Sequence, residues 1–272
     1  MTELYYLVPL GFAVGAYGTL IGAGGGFVLV PLLLLLYPHE KPEIITSISL
    51  AVVFFNALSG SWAYARQKRI HYRSALIFAA AAIPGAVLGA LSTASVPRRL
   101  FDGILGLLML AAAIALIWFT AKEQAVSSSD PSTNNHDASQ ENNEAQYRTG
   151  IGTALSAVVG YVSALLGLGG GIVHVPLLSR VVRMPVHVAT ATSHLILAIM
   201  AAVGTIVHIA SGNFHHGIRR TIALSVGVIV GAQLGAYFSG RLHGRWIERG
   251  LAAALALVGL RVLLLAWSPL EI

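Results

Sequence analysis

The sequence predicts an all-α integral membrane protein of about eight hydrophobic segments, arranged as two homologous four-segment repeats. Three observations carry that prediction. The first is composition: 56% of the 272 residues are hydrophobic and only 10% are charged, against about 25% in soluble domains. A soluble chain of this size could not screen so much apolar surface with so few charges. The second is the recurrence of apolar runs long enough to cross a bilayer. The third is an internal duplication centred on a glycine cluster. Composition also excludes a disordered chain, and the absence of cysteine excludes a disulfide scaffold and a cysteine-based metal or redox site.

The basic balance, 17 Lys and Arg against 11 Asp and Glu, would suggest nucleic acid in a soluble chain. Here the charges cluster between apolar runs, as in Arg66, Lys68, Arg69 and Arg73, or Arg98 and Arg99. Such clusters are the topology signal of membrane spans, so nucleic acid is not expected as a partner. Met1-Thr2-Glu3 lacks the basic region of a cleavable signal, and the first segment is expected to remain in the mature protein.

Taken in order, the apolar stretches cover roughly 4–37, 43–65, 74–95, 100–121, 150–182, 186–210, 218–240 and 249–267. Six have the length that spans about 30 Å of hydrocarbon. The first and fifth are too long, because 34 residues of unbroken helix would reach about 51 Å. Each carries a glycine cluster near its middle, so each is expected to break there or to fold back as a re-entrant hairpin. Residues 122–148 are polar and acidic, with Ser127-Ser128-Ser129-Asp130-Pro131 and Glu141-Asn142-Asn143-Glu144. They read as a solvated, disordered linker between a first transmembrane repeat, 1–121, and a second, 149–272.

The halves read as copies. LIGAGGGFVLVPLL at 20–33 and LLGLGGGIVHVPLL at 165–178 agree at ten of fourteen positions, 145 residues apart. At 144, Thr46, Ser49 and Gly60 fall on Thr190, Ser193 and Gly204; at 146, Gly85 to Ala90 fall on Gly231 to Ala236. Duplicated halves with a Gly/Pro-interrupted segment at matching positions are a mark of secondary transporters. Full crossings by the long segments would give parallel repeats and equal Lys/Arg counts on the two sides. Re-entry would give inverted repeats with eleven against five, the linker lying on the basic, cytoplasmic side. The positive-inside rule favours inversion.

The candidate site starts with Gly24, Gly25 and Gly26 and their counterparts Gly169, Gly170 and Gly171. Glycine-rich runs make poor helix, and Pro31 and Pro176 each remove a further helical donor. In lipid, unwound backbone is tolerated where it is buried in protein or lines a polar cavity. Consecutive free amides form an anion nest, and a helix starting there adds its positive end. The structural alternative is that these glycines only let helices pack closely. A dinucleotide fingerprint fits poorly: it would need glycine at Phe27 or Ile172, after a strand.

Ser49, Asn56, Thr192, Ser193 and His194 could complete an anion's hydrogen bonds without adding negative charge; capping and interhelical bonding are the alternatives. Ionisable groups within spans are functional by default, and His174, His194, His208 and Arg261 qualify. His174 stands where the first copy has Leu29, and His194 where it has Leu50. Histidine titrates near neutrality, which suits proton coupling by His174 or His194. Arg261 could attract an anion or snorkel to the interface. His215, His216, Arg219 and Arg220 read as a wet loop. The Gly-Ala-x-Leu-Gly-Ala pair reads as small-residue packing, with Gln233 a lesser candidate for the cavity.

These residues resemble a known family. GAGGGFVLVPLL and GLGGGIVHVPLL, each followed by an Ala/Thr/Ser-rich span and a Gly-Ala-x-x-Gly-Ala segment, look like the TauE/SafE sulfite exporters over nearly the whole chain apart from the linker. Ser47-Ile48-Ser49-Leu50 departs from the Thr-Ser-Leu expected in the first half. The resemblance implies a multi-pass permease of the plasma membrane, in bacteria the inner membrane, moving sulfite, sulfoacetate or related organosulfonate anions. Residues alone reach an anion-friendly transporter; the sulfur comes from the resemblance. This reading has the lipid bilayer and a small anion as partners, allows a coupling proton or cation and a homodimer, and needs no cofactor or metal. Its rivals are a passive anion channel, an intramembrane enzyme or a scaffold. Neither GxSG nor HExxH occurs in the sequence, which speaks against the familiar intramembrane proteases.

Overall fold

The computed structural model describes residues 3–127, 141–212, 214, 217–239 and 244–267. Among the described residues the chain forms ten α-helices and no strand. Four of them are long and apolar enough to cross a membrane: α3 (Pro42–Arg66), α4 (Tyr72–Ser92, extended by one 3₁₀ turn to Ser95), α8 (Val186–Ala210) and α9 (Ile218–Phe238).

The two overlong segments are both broken at their glycines. The first becomes α1 (Glu3–Ile21) and α2 (Gly26–Leu36); the fifth becomes the end of α6 (Glu141–Leu166), then α7 (Gly171–Pro176) and a π-helical turn over Leu177–Val181. Gly22, Gly24 and Gly25 have φ of 84°, 74° and 80°, and Gly167, Gly169 and Gly170 have 72°, 78° and 88°. Only glycine takes this left-handed conformation without a Cβ penalty, so the helix must end where three of them fall together. The freed amides of Ala23 and Leu168 donate back to the carbonyls of Gly18 and Ser163 at 2.9 Å, a closure of the helix-end type.

After each break the chain doubles back. A Cβ on Gly25 would meet Val14 at 2.8 Å, the tilted rings of Phe27 and Tyr17 have centroids 6.3 Å apart, and a 400 Å³ surface pocket is lined by Tyr6, Pro9 and Leu10 of α1 and by Leu32, Leu35 and Leu36 of α2. Those pairings describe antiparallel arms. In the second segment Gly170 lies beside Ser163 and His174 beside Ser156, so α7 runs back along α6.

Two compact units divide the chain. The larger, residues 1–98 and 151–241, contains both hairpins and the four long helices. Its small-residue segments lie against the outer hairpin arms. Gly85 and Gly89 of α4 abut the carbonyls of Ala157 and Tyr161 on α6; Gly231 and Gly235 of α9 abut those of Phe12 and Ala16 on α1. A methyl at any of these four would enter a backbone oxygen. Leucine at Gly231 should therefore lower the melting temperature of the detergent-purified protein, at about 1–3 kcal/mol for overpacking. Gly103, with nothing within 4 Å of its Cβ position, is the control, and G103A should be neutral or better.

The smaller unit, residues 99–150 and 242–272, holds α5 (Arg98–Ser127) apart from its first residue, the start of α6, and α10 (Gly244–Trp267). There α5 and α10 meet at Gly106 and Gly259. Both ends of the polar linker stretch are helical, since α5 runs to Ser127 and α6 starts at Glu141; the expectation of disorder for 128–140 lies outside the described residues. So do His215 and His216 of the expected wet loop, whereas Arg219 and Arg220 belong to the first turn of α9. Arg261 is exposed on α10. Gln233 differs from expectation: it is exposed and donates to the Ser59 carbonyl and hydroxyl at 2.8 Å. An outer helix that is apolar nearly all round offers no moment to say which way one amide points.

Candidate functional site

The two hairpin tips meet inside the larger unit, and they meet reciprocally. A Cβ on Gly26 would lie 2.6 Å from the Leu168 carbonyl oxygen; one on Gly171 would lie 2.6 Å from Ala23 Cα and 2.7 Å from the Gly22 oxygen. Gly24 and Gly169 both face Val53 and Leu197; Gly22 packs on Thr190 and Gly167 on Thr46. Each pair of neighbours is related by 144 or 145 positions in the sequence. The six glycines proposed from sequence, Gly24 to Gly26 and Gly169 to Gly171, are all buried at this junction.

The junction is also where two short helices begin. In α2 the first bonds run from Val28 and Leu29 to the Gly25 oxygen, and in α7 from Val173 and His174 to the Gly170 oxygen. The amides of Gly26 and Phe27, and of Gly171 and Ile172, precede those first bonds and belong to the orphan donors of a helix N-terminus. These four amides are what such an arrangement offers to an anion.

The polar side chains proposed from α3 and α8 surround these turns, and most hold backbone. Ser49 donates to the Gly167 oxygen at 2.7 Å, and Ser193 donates to the Gly22 oxygen at 3.3 Å. Asn56 donates from Nδ2 to the Gly24 oxygen at 2.9 Å. Each ties a turn carbonyl to a long helix, which settles acceptors that a left-handed turn leaves outside any helical ladder. Thr192 lies further out, where its Oγ1 accepts the His71 amide at 3.1 Å. Thr46, packed on Gly167, is buried with no partner for its hydroxyl.

His194 is fully buried against Gly60, whose Cβ would lie 2.5 Å from the imidazole Cδ2; glycine makes room for the ring. Its Nε2 is 3.2 Å from Thr19 Oγ1, its ring meets Tyr64 edge-on at 5.6 Å, and its Nδ1 has no partner. His174 is buried too but engaged at both nitrogens, with the Gly170 oxygen at 3.1 Å from Nδ1 and the Ser156 hydroxyl at 3.3 Å from Nε2. His208 is buried with both nitrogens unpartnered.

Two participants escaped sequence reasoning. Thr19 donates to Asn56 Oδ1 at 3.1 Å, and the Tyr64 hydroxyl donates to the Thr19 carbonyl at 2.7 Å. The signal was the one that exposed the histidines, a departure between the copies. Thr19 stands against Ala164, and Tyr64 against His208. The polar cluster of Thr19, Asn56, Tyr64 and His194 thus surrounds one glycine turn; its counterparts are Ala164, Met200, His208 and Leu50, and the other turn is held instead by Ser49 and by His174 with Ser156.

No group of three or more His, Asp or Glu placed to hold a metal ion occurs among the described residues. The model of a family described as sulfite exporter TauE/SafE matches residues 7–262. The chain is 30% identical over 265 residues to the probable membrane transporter protein YunE of Bacillus subtilis, covering 94% of this chain and 96% of that protein. It is 30% identical to a probable membrane transporter protein of Xylella fastidiosa, covering 96% and 94%. It is 24% identical to the probable membrane transporter protein MJ0441 of Methanocaldococcus jannaschii, covering 96% and 97%. No solved structure matches the chain.

Proposed function

Because the chain belongs to the sulfite exporter TauE/SafE family, whose members are membrane permeases and not enzymes, we propose that it moves small sulfur-containing anions across the plasma membrane. Sulfite, sulfoacetate and other organosulfonates are the cargo class, and the bacterial inner membrane is the location. The observation that supports this reading is the reciprocal meeting of two glycine hairpin tips, which brings two helix N-termini to one buried place. An anion there would take hydrogen bonds from the amides of Gly26, Phe27, Gly171 and Ile172. No carboxylate is among the residues that hold the turns, and oriented amides bind negative charge without an opposing cation.

With 11 residues, α2 is about 16 Å long, roughly half the hydrocarbon thickness. A hairpin arm of that length suits re-entry from one surface to the midplane. In this reading the two halves are inverted copies, each hairpin entering from its own side, and the anion sits where the tips touch. Alternating access then follows if one half rocks against the other about the junction. Ser49, Asn56 and Ser193 keep the turn carbonyls facing away from the cargo, so that amides face it. Thr46, with an unpartnered hydroxyl, is a further donor to the anion.

The test is counterflow in reconstituted vesicles: external radiolabelled sulfite, sulfoacetate or methanesulfonate exchanging against the unlabelled internal anion. Accumulation driven by exchange supports a carrier. Flux that dissipates gradients and never shows counterflow identifies a passive channel, and absence of flux for all three anions overturns the reading.

A further inference from the structure

His194 carries a hydrogen-bond chain whose direction can be worked out atom by atom. Thr19 gives its hydroxyl proton to Asn56 Oδ1. That hydroxyl therefore has only lone pairs for the imidazole, and the contact at 3.2 Å requires His194 Nε2 to be the donor. Asn56 in turn donates to the Gly24 carbonyl. The chain runs His194 Nε2–H to Thr19 Oγ1–H to Asn56 Oδ1, and from Asn56 Nδ2–H to the first glycine turn. Neutral imidazole carries one ring proton, which leaves Nδ1 as a lone pair, with the Gly22 carbonyl beside the ring as the acceptor for a second proton. Nδ1 is the unpartnered buried nitrogen of this cluster.

We propose that His194 Nδ1 is the binding site of the coupling proton, and that protonation there strengthens the anion site through Thr19, Asn56 and Gly24. This deepens the permease reading above and rests on it. A proton taken from water adds to the Nδ1 lone pair, and the Nε2–H stays on Thr19. The neutral chain becomes charge-assisted, its bonds shorten and polarise one another, and Gly24 is held more firmly. The imidazolium also places positive charge beside the turn that receives the anion. Proton and anion therefore favour each other's binding and move in the same direction. The burial of His194 seals the proton in this conformation, so protons do not leak when no anion moves.

Among the groups that face this cluster, His194 is the one with an open nitrogen. α8 is packed by α3, α4, α7 and the π-helical turn. From α3 the titratable side chain facing the imidazole is Tyr64, whose hydroxyl is already bonded to Thr19; Glu43 and Arg66 lie in the end turns. Tyr72 and Arg73 of α4 are exposed at its start. α7 brings His174, which in neutral form donates from Nδ1 to the Gly170 carbonyl and accepts from Ser156 at Nε2, so it has no open nitrogen. The π-helical turn carries Arg180, which is partly buried. On α8 itself His187 is exposed at the first turn; His208, buried with both nitrogens unpartnered, lies in the last turn, about 21 Å along the helix from His194 and away from the Thr19–Asn56 chain.

The experiment uses the full chain in vesicles containing a pH-reporting dye, with methanesulfonate as probe and the membrane potential clamped with potassium and valinomycin. Methanesulfonate carries no proton of its own in the neutral range. One proton per anion supports about tenfold accumulation per pH unit imposed. Wild type is expected to accumulate the anion and acidify the lumen. H194Q, which keeps an N–H for Thr19 but cannot titrate, should lose proton-driven accumulation; H187Q, at the exposed first turn of α8, should accumulate like wild type. Proton-driven accumulation by H194Q, or wild-type counterflow without any response to pH, overturns the proposal. Nitrogen-15 spectra of the imidazoles, with H194Q identifying the signal, test it independently of transport. The neutral Nε2–H tautomer is expected, and an Nδ1–H tautomer overturns the proposal even if the permease reading stands. Absence of counterflow in wild type would instead strike at the permease reading, leaving the tautomer to decide the proton site.

Discussion

Alanine at Gly26 or at Gly171 is expected to reduce anion counterflow to background and to destabilise the protein by about 1–3 kcal/mol. Neither glycine is in the left-handed region, so backbone strain is not the reason. Both lie in helices, where alanine is favoured over glycine by about 1 kcal/mol. What opposes the substitution is the facing turn. The new methyl of G26A would sit 2.6 Å from the Leu168 oxygen, 2.8 Å from its carbonyl carbon and 2.9 Å from the Gly167 oxygen. All three are backbone and none can rotate away. The methyl of G171A meets Ala23 Cα and the Gly22 oxygen in the same manner. The tips must part, and the amides of α2 and α7 part with them. The two variants should behave alike, because each meets the other's turn. Gly24 is the contrasting position: its Cβ would press on the Leu197 and Val53 side chains, which can move, and its positive φ of 74° adds about 1–2 kcal/mol of strain for any other residue. G24A should therefore destabilise while keeping measurable exchange. Thermal melts in detergent and counterflow in vesicles separate the cases. Wild-type exchange by both G26A and G171A would mean that the meeting of the tips has no part in transport.

How far the sequence carried this site is visible in single residues. The helix breaks were legible because glycine and proline act locally: four glycines in five positions end a helix whatever surrounds them. The membrane class was legible because hydropathy sums over the chain without needing a fold. Partners were not. Ser49 bonds a carbonyl 118 positions away, and Ser193 one 171 positions away; no local pattern shows that a hydroxyl will hold the turn of the opposite half. Both serines were expected to face an anion, and in this structure the single hydrogen of each is engaged by backbone. Thr19 was hidden for another reason. A lone threonine in an apolar helix often bonds its own preceding carbonyl, and only the copy's Ala164 hints at more.

The turn that Asn56 holds should be the more fragile of the two. Replacing Asn56 with leucine removes the donor to the Gly24 oxygen and the acceptor for the Thr19 hydroxyl together. Polar contacts between membrane helices average only about 0.6 kcal/mol, because the groups find other partners when separated. Gly24 is differently placed. Its carbonyl belongs to a left-handed turn, buried, with no helical ladder to return to. An acceptor stranded in this way costs about 1–3 kcal/mol, and the Thr19 hydroxyl adds to it, so N56L should lose about 2–4 kcal/mol of stability. The counterpart of Asn56 is Met200, whose methyl would lie 3.2 Å from a Cβ on Gly170; it only fills space, and M200L should cost less than about 1.5 kcal/mol. The unequal response would show that the halves, alike in backbone, have divided their labour: the Gly24 turn depends on Asn56 of a long helix, whereas the Gly170 carbonyl is held by His174 of its own arm and Met200 only packs. N56L should also lose anion exchange, since Gly24 and the α2 amides that follow it would no longer be fixed. A pair of variants with equal stability losses, measured by thermal melts under matched detergent, would show that the two turns are not held differently.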